Sequence, residues 1–318
     1  MNELVEVVHG RNNPGIDPVL HAWGWEVPVY LFLGGMVAGL MILLPALEWR
    51  SGRVSPSRAG RLMPFVALVL ISLGMGALFL DLEYKLHVYR FYLTFEPTSP
   101  MSWGSWILLA VYPALLLLGL GGLTDGDLAL LGERIRRPVD RLRGFAARRR
   151  PTLLILSVVT GIGLGAYTGL LLGTLSARLL WGTPLLGPLF LVSGVSTGAA
   201  LLMLVPLGDE ETETVGRWDA VALGVELALI LLMVLGFSTG GAAAQAAVAP
   251  LLGGGFTPVF WGLVVGLGLL VPLALELIEM RTHQPRTVLA PIFVLLGGFV
   301  LRAVIVAAGQ ETTFAQLG

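Results

Sequence analysis

The sequence contains eight apolar stretches that are each long enough to cross a lipid bilayer as a helix. A helix needs about 20 apolar residues to span roughly 30 Å of hydrocarbon. In lipid, a spanning segment must also satisfy its own backbone polar groups, and a helix does so. The stretches are residues 24–47, 62–81, 103–123, 152–174, 184–206, 218–238, 258–280 and 288–308. The sequence therefore predicts an all-α integral membrane protein with eight transmembrane helices.

The composition agrees with a membrane protein and excludes some chemistry. Of the 318 residues, 55% are hydrophobic and 13% are charged, whereas soluble domains carry about 25% charged residues. Because the sequence has no cysteine, it can neither form a disulfide nor hold a cysteine-ligated iron–sulfur cluster. Any such cluster that works with it must belong to another protein. Residues 1–22 lack the basic start and short apolar core of a signal peptide.

Arginines are concentrated on one side of the predicted bundle. They cluster in the loop after the first span and in the loop 124–151 after the third span. Loops rich in Lys and Arg face the cytoplasm, so both loops are predicted to be cytoplasmic. With eight spans, the tails 1–22 and 309–318 are then both extracytoplasmic. This orientation predicts a multi-pass protein of the inner (cytoplasmic) membrane.

Two short segments are similar to each other and predict an internal duplication. "LFLGGMVAG" (31–39) in the first span and "LFLVSGVST" (189–197) in the fifth span share LFL and continue with small residues in similar phase. The offset between them predicts two similarly oriented four-helix bundles. The first is formed by helices 1–3 in 23–123 and helix 4 in 152–174, with the basic loop 124–151 between them, and the second by 184–308.

The stretch "FEPTSPMSWGSW" (95–106) lies between the second and third spans, on the predicted extracytoplasmic side. Pro97 and Pro100 keep the residues before them out of the helical region, so we expect an extended turn before the third helix. Ser102 is a candidate cap of that helix, and Trp103 suits the headgroup level of the bilayer. A membrane boundary explains these residues but not the protonatable groups that crowd the same rim.

Those groups lie near the predicted extracytoplasmic ends of several spans. They are His21, Glu26, Asp81 and Tyr167. Asp17, His21 and Trp25 are spaced four residues apart, so they share a face if the first helix begins early enough. A boundary residue such as Asp81 can also serve merely as a helix-end group, and that interpretation stays open.

Four further charged residues are predicted to lie inside the spans. They are Glu226, Glu276, Glu279 and Arg302. A charge at mid-depth costs about 2.5–3.5 kcal/mol on insertion scales. Glu279 is close enough to a boundary to snorkel, whereas Glu226 and Arg302 are expected to turn inward to a partner.

The histidines and glycines argue against haem and nucleotide binding. The histidines are His9, His21, His87 and His283, and all lie at or beyond the predicted boundaries, whereas a membrane cytochrome needs ligands at membrane depth. The glycine-rich "GIGLGAYTG" lies inside a span, so it does not fit a phosphate loop. No metal-ligand pair at helical spacing and no catalytic residues are identified, and nucleic acid is not an expected partner.

Three segments resemble the NrfD/PsrC family of membrane subunits. They are "WEVPVYLFLGGMVAGLMI" (25–42), "LFLDLEYKLHVYRFYLTFEPTSPMSWGSWIL" (78–108) and "GAYTGLLLGTLSARLLWGTPLLGPLFLVSGVSTGAALL" (165–202). The resemblance implies eight helices in two four-helix units, with no redox cofactor in this chain. It further implies a quinone site at the extracytoplasmic rim, next to a four-cluster ferredoxin-like iron–sulfur subunit. That partner would relay electrons to or from a catalytic subunit, often a molybdopterin enzyme.

The resemblance also assigns site residues. Its quinone-site histidine corresponds to His21 and the tyrosine of its "YTG" motif to Tyr167, and Asp17 is expected near the quinone headgroup. Loop 95–106 would roof the site and dock the iron–sulfur subunit. The docking candidates in it are Glu96, Ser99, Ser102 and Trp103. The family commonly has glycine and arginine after "LDL", where this sequence has Glu83 and Tyr84.

Quinol oxidation releases two electrons and two protons, and the predicted rim offers groups for both ring oxygens. A histidine titrates near neutral pH, a tyrosine donates a hydrogen bond, and Glu26 or Asp81 can pass protons to water. Trp25 would line the site. We therefore expect electron exchange between menaquinone or ubiquinone and a cluster of the partner. In a mixed alternative, this chemistry also drives protons through Glu226, Glu276, Glu279 and Arg302.

The competing class is a secondary transporter or proton-conducting channel without redox chemistry. Two similar halves and buried charges suit a transporter. The spans, however, show no clear pair of broken segments at corresponding depths.

Overall fold

Eight long apolar helices dominate the structure, which is a computed structural model that describes residues 23–82, 84–129, 133–175, 178–282 and 287–312. The helices are α1 (Glu26–Ser51), α2 (Arg58–Asp81), α3 (Pro100–Gly122), α4 (Arg150–Thr174), α5 (Leu186–Met203), α6 (Asp209–Ser238), α7 (Val259–Thr282) and α8 (Leu289–Glu311). Each is long and apolar enough to cross a membrane. The predicted all-α, multi-pass fold is therefore confirmed.

The two ends of the bundle differ in their loops. Because consecutive spans cross the bilayer in opposite directions, α1, α3, α5 and α7 begin on the side where the other four helices end. We call this side the N-terminal face and the opposite side the basic face, since the arginine-rich loops after α1 and α3 lie there. That the basic face is cytoplasmic stays a prediction.

Helices α1 and α5 form the centre of the bundle. Within their most apolar windows, 72% and 67% of the residues are buried, against 33% in α2, α6 and α7. Helix α1 packs against α2, α4, α5 and α8. The two similar segments, 31–39 and 189–197, therefore lie in the two most buried helices. The division of the protein into two four-helix units stays a prediction.

Glycines allow the backbones of α1 and α5 to touch. A Cβ atom on Gly194 would lie 2.6 Å from the carbonyl oxygen of Gly35, and one on Gly198 would lie 2.9 Å from the Cα of Gly39. Larger side chains would have to push the two backbones apart, which explains the small residues in both similar segments.

Helix α6 is longer than hydropathy predicts. It begins at Asp209 rather than at residue 218, and its first turn carries Asp209, Glu210 and Glu211. The carboxylate of Glu211 accepts a hydrogen bond from the backbone N–H of Gly208 at 3.4 Å. Acidic residues at a helix start interact favourably with the helix dipole. Hydropathy detects only the part of a helix that lies in lipid, so this polar extension was missed.

The basic loop 124–151 is also largely helical. It contains a short helix, Asp125–Leu128, and a longer one, Glu133–Arg148. Asp127 accepts hydrogen bonds from the backbone N–H and the hydroxyl of Thr124 and pairs with Arg61, whose Nε lies 3.1 Å from its Oδ2. These contacts, the Thr124 backbone bond first among them, lower the pKa of Asp127 to about 2. The loop is thereby anchored to the start of α2.

Helix α7 changes its winding within the membrane. Its first part, Val259–Leu270, is π-helical, and the remainder, Val271–Thr282, is α-helical. Pro272 lies just after the change, where its missing N–H is tolerated. In the π-helical part, Gly268 approaches Gly297 of α8, and a Cβ on Gly268 would lie 2.6 Å from the Cα of Gly297. This local change was not predicted.

Candidate functional site

Trp23, Trp181 and Gln310 form a cluster of aromatic and amide groups at the N-terminal face, which we call the clamp. It holds the backbone just before α1. The indole rings of Trp23 and Trp181 stack with centroids 5.2 Å apart. The side-chain amide of Gln310 accepts a hydrogen bond from the N–H of Trp23 at 2.5 Å and donates one to its carbonyl at 3.2 Å. Trp181 donates its indole N–H to the carbonyl of Ile305 at 2.8 Å. The clamp joins the start of α1, the α4–α5 connection and the end of α8.

The two N-terminal residues assigned to the quinone site precede this clamp. His21 and Asp17 lie outside the described residues, so their roles stay predictions. His21 is two residues before Trp23. The hydrogen bonds of Gln310 therefore fix the backbone at Trp23, two residues after His21 in the sequence.

Two tyrosines meet inside the bundle near the same face. The hydroxyl of Tyr167 in α4 forms a hydrogen bond with the hydroxyl of Tyr30 in α1, and both side chains are buried. Gly104 of α3 makes room for the ring of Tyr167, because a Cβ at residue 104 would overlap that ring. The ring of Tyr30 also packs near Gly74 of α2. Helices α1 to α4 thus converge on one hydroxyl pair.

Two carboxylates lie at the rim above this pair. Glu26 is in the first turn of α1, one helical turn before Tyr30, and Asp81 is the last residue of α2. Their carboxylates are close enough to repel each other. Asp81 is exposed and Glu26 is partly exposed, so both can exchange protons with water. Trp25 is 61% exposed beside them. Within the described ranges, no cluster of His, Asp and Glu could hold a metal ion.

Arg302 of α8 is fully buried and makes four hydrogen bonds. Its Nε donates to the carbonyl of Leu31 at 3.0 Å, and its two terminal nitrogens donate to the carbonyls of Gly298 and Phe190 and to Ser193 Oγ at 2.8–3.3 Å. The guanidinium carbon also lies 5.5 Å from the centre of the Phe190 ring, within the range of a cation–π contact. The prediction that Arg302 turns inward is confirmed.

Gly35 is the residue that admits this guanidinium between α1 and α8. A Cβ at residue 35 would lie 2.5 Å from the Nη2 of Arg302. Gly35 therefore serves two contacts, one with the α5 backbone at Gly194 and one with Arg302.

Glu226 of α6 is buried close to Arg302, whose positive charge attracts its carboxylate. Ser193 lies beside both groups. Its Oγ accepts a hydrogen bond from Arg302 at 3.0 Å. Deeper toward the basic face, Ser196 donates to Oδ1 of the buried Asp219 at 2.6 Å. Glu226, like Arg302, turns inward as predicted.

The remaining interior carboxylates lie near the basic face. Glu276 and Glu279 are buried in the last turns of α7. Oε1 of Glu279 accepts hydrogen bonds from the N–H and the hydroxyl of Thr287 at 2.8 and 2.9 Å. These residues line a cavity of ≈ 40 Å³ that also borders Met203. A polar cavity of this size has room for a water molecule.

The loop before α3 differs from the prediction in one contact. Helix α3 begins at Pro100, and the residue before it, Ser99, is extended as expected from the prolines. Ser102 does not cap the helix, because it already lies in the first turn. Its hydroxyl instead accepts from the N–H of Glu96 at 3.0 Å and donates to the carbonyl of Thr94 at 3.3 Å. Ser102 therefore fastens the loop to the helix.

The tip of this loop is ordered by its own side chains. Trp103 donates its indole N–H to the carbonyl of Pro97 at 2.8 Å. The carboxylate of Glu96 accepts hydrogen bonds from the hydroxyl and the backbone N–H of Thr98, and these bonds lower the pKa of Glu96. The loop thus presents a charged carboxylate and an indole on the N-terminal face.

Nearly the whole sequence matches one known family. A family model described as "Polysulphide reductase, NrfD" covers residues 15–315. The chain belongs to the NrfD family. The resemblance that the segments 25–42, 78–108 and 165–202 indicated is therefore confirmed.

Individual NrfD-family relatives match along most of their length. The chain is 31% identical to a polysulfide reductase chain of Wolinella succinogenes, over 91% of this sequence and 94% of that protein. It is 32% identical to protein NrfD of Escherichia coli, over 91% and 95% of the two proteins. A putative dimethyl sulfoxide reductase membrane subunit of Halobacterium salinarum is 29% identical over 71% of this sequence and 52% of its own length.

Several polar residues of this NrfD-family protein were missed by the sequence analysis. They are Tyr30, Gln310, Ser193, Ser196 and Asp219. Tyr30 carried a usable signal, because it follows Glu26 by one helical turn and so shares its face. Gln310 lay in a segment interpreted as a tail. The serines lay within apolar runs, where a single hydroxyl is equally consistent with a hydrogen bond to its own helix.

Proposed function

We propose that this chain is the membrane subunit of a respiratory reductase complex and that it exchanges electrons between a quinone and a partner iron–sulfur subunit. NrfD-family membership and relatives that are named as parts of reductases support the role. The partner is proposed to be a four-cluster ferredoxin-like protein, because a chain without cysteine is unable to hold a cysteine-ligated cluster itself. A molybdopterin-type or other catalytic subunit would complete the complex.

The observation that carries the quinone site is the buried Tyr30–Tyr167 pair below the rim carboxylates. A hydroxyl has one hydrogen to donate, so when one tyrosine donates to the other, the second keeps its O–H for a third group. We assign that third group to a quinone ring oxygen. An apolar pocket with a few convergent polar groups is the usual form of a small-molecule site.

The second ring oxygen is assigned to the N-terminal segment. His21 would bind this oxygen, Asp17 would contact the headgroup, and Trp25 would line the entrance. The clamp formed by Trp23, Trp181 and Gln310 supports this assignment, because it holds the backbone next to His21 at the N-terminal face.

In this proposal, the protein positions the quinol and accepts the protons that its oxidation releases. Oxidation of a quinol releases two electrons, which leave for the cluster of the partner, and two protons, which stay with this chain. Glu26 and Asp81 are placed to accept those protons and pass them to water, because both reach the surface. The steps run in reverse for quinone reduction. Menaquinone and ubiquinone present two ring oxygens to the same groups.

Purification of the protein in mild detergent tests this function. We expect an iron–sulfur protein and quinone to co-purify and the preparation to oxidise a quinol analogue. His21→Ala should abolish that oxidation while the complex stays assembled. A chain that purifies with neither partner nor quinone would contradict the proposal and favour a transporter or channel.

The loop 95–106 is proposed as part of the docking surface for the iron–sulfur subunit. Glu96, Ser99, Ser102 and Trp103 belong to it. Just before it, Leu86 and Leu93 are 88% and 75% exposed on the N-terminal face. Exposed apolar groups rimmed by polar ones are typical of protein interfaces.

A charge placed on this surface should release the partner. We expect Leu93→Asp to lower the amount of co-purified iron–sulfur protein at least about tenfold, the effect of losing an interface hot spot. The matched control is Leu252→Asp, because Leu252 is also exposed but lies on the separate helix Ala242–Leu252. Equal partner recovery from Leu93→Asp and the wild type would remove the loop region from the interface.

Proton movement across the bilayer is proposed to accompany the quinone chemistry. The supporting observation is the series of buried polar groups in α5 to α8, from Arg302, Ser193 and Glu226 through Asp219 to Glu276 and Glu279 near the basic face. Ionisable groups inside membrane proteins commonly mark such pathways.

Glu226→Gln tests the path because glutamine keeps the size and hydrogen-bonding shape of glutamate but cannot carry a proton at neutral pH. In vesicles containing the complex, we expect this variant to lose quinol-driven proton movement while it retains quinol oxidation. Glu213→Gln is the control on the same helix, since Glu213 is exposed and paired with Arg217. Unchanged proton movement in Glu226→Gln would restrict the protein to electron transfer.

A further inference from the structure

A basic helix lies on the basic face between two spanning helices. It covers Glu133–Arg148, follows the end of α3 at Gly122 and is separated from α4 by a single residue. Ala146 is buried against α3, where a Cβ on Gly121 would lie 3.1 Å from the Cβ of Ala146. A helix tethered at both ends to transmembrane helices cannot leave the membrane surface.

One side of this helix is held by acidic residues of the same protein. Nη1 of Arg143 lies 2.6 Å from Oδ1 of Asp125, and this pairing lowers the pKa of Asp125. Arg136 pairs with Asp140 at 3.7 Å. The arginines on this side are therefore already neutralised within the protein.

The opposite side carries a basic stripe that no described acidic side chain neutralises. Arg137, Arg141 and Arg148 are exposed and lie about one and two helical turns apart, so they share one face. No acidic side chain that the structure describes lies within 4.0 Å of them. Leu142 and Phe145, which are 44% and 46% exposed, border the stripe.

We propose that Arg137, Arg141 and Arg148, with Leu142 and Phe145 beside them, bind the headgroup of an acidic phospholipid in the adjacent leaflet. Guanidinium groups pair with phosphate oxygens in a bidentate geometry. An apolar edge next to a basic stripe is the pattern of helices that lie in the membrane interface. Because the helix is joined to α3 and α4, its basic stripe and its apolar edge both stay at headgroup level. The proposal is independent of the quinone site.

The absence of cysteine allows a single reporter to test this site. Gly144 lies within the stripe, and a Cβ there would meet open space. Gly144→Cys would be labelled with a small fluorophore in the full-length protein, reconstituted in bilayers of phosphatidylcholine with a minor fraction of phosphatidylglycerol. Two preparations would be compared, one with brominated acyl groups on phosphatidylcholine and one with them on phosphatidylglycerol. The bromine atoms quench the fluorophore. We expect brominated phosphatidylglycerol to quench at least about fivefold more effectively per molecule, the contribution of a single arginine near an anionic surface.

Two triple variants separate a local site from general attraction. Arg137→Gln, Arg141→Gln and Arg148→Gln together should bring the two lipids to equal quenching. Arg50→Gln, Arg53→Gln and Arg281→Gln together remove the same charge from the same face and should leave the preference intact. Equal quenching by both lipids in the parent protein would overturn the proposal. A preference that both triple variants reduce equally would also overturn it. The same holds if neither lipid quenches the fluorophore because a soluble protein covers it.

Discussion

Replacing Tyr167 with phenylalanine is expected to slow quinol oxidation by the assembled complex on the order of 100-fold, the usual contribution of a positioned proton donor or acceptor. Phenylalanine keeps the ring that packs into the space above Gly104, so the change removes only the hydroxyl. Tyr30 then loses its hydrogen-bond partner, and the proposed quinone oxygen loses the donor that the pair provides. The measurement is steady-state oxidation of a quinol analogue, with partner content checked for each preparation.

Tyr30 and Tyr167 should contribute to the rate of quinol oxidation as one hydrogen-bonded pair. This expectation provides a second test. Tyr30→Phe is expected to reduce the rate in the same direction, and the double variant should be scarcely slower than either single variant. Tyr112→Phe is the matched control, because this tyrosine lies in α3 with its hydroxyl 3.2 Å from Ser72 on the exposed side of the bundle. A Tyr167→Phe rate within twofold of the wild type at saturating quinol would move the quinone away from the pair.

The spanning helices could be predicted from the sequence because lipid imposes one simple rule on them. A segment in hydrocarbon must be apolar and must satisfy its own backbone, so hydropathy locates it. Hydropathy no longer locates a helix where it extends out of the lipid into water. The acidic first turn of α6 and the helix Glu133–Arg148 were missed because their stability comes from capping, charge and packing rather than from lipid.

The candidate site was harder to predict because its contacts join residues far apart in sequence. The burial cost of a charge predicted that Arg302 turns inward, and the structure confirms it. Nothing local identifies its acceptors, since three of the four are backbone carbonyls, of Leu31, Gly298 and Phe190, and every residue carries a carbonyl. The glycine at residue 35 was visible, but its role depends on a side chain from the last spanning helix.

Arg302→Met is expected to be the most destabilising single substitution in the bundle. Methionine fills a similar volume but forms none of the four hydrogen bonds, and it removes the positive charge that acts on the buried Glu226. Leaving a buried acceptor without its donor costs about 1–3 kcal/mol, so the loss of several bonds should cost about 3–5 kcal/mol. At a fixed scan rate, this corresponds to a fall of roughly 10 °C in the apparent unfolding temperature. The loss can be followed by tryptophan fluorescence, to which the stacked Trp23 and Trp181 contribute.

The double variant Arg302→Met with Glu226→Gln decides whether the loss comes from charge or from packing. If the uncompensated carboxylate causes most of the penalty, neutralising it should restore at least about 1 kcal/mol, because groups that interact electrostatically are coupled rather than additive. Arg302→Lys should lie between the wild type and Arg302→Met, since lysine keeps the charge but cannot reach Leu31, Ser193 and Phe190 at once. Additive losses in the double variant would mean that the carbonyl contacts hold Arg302. Glu226 would then be independent of it, as a mobile proton carrier requires.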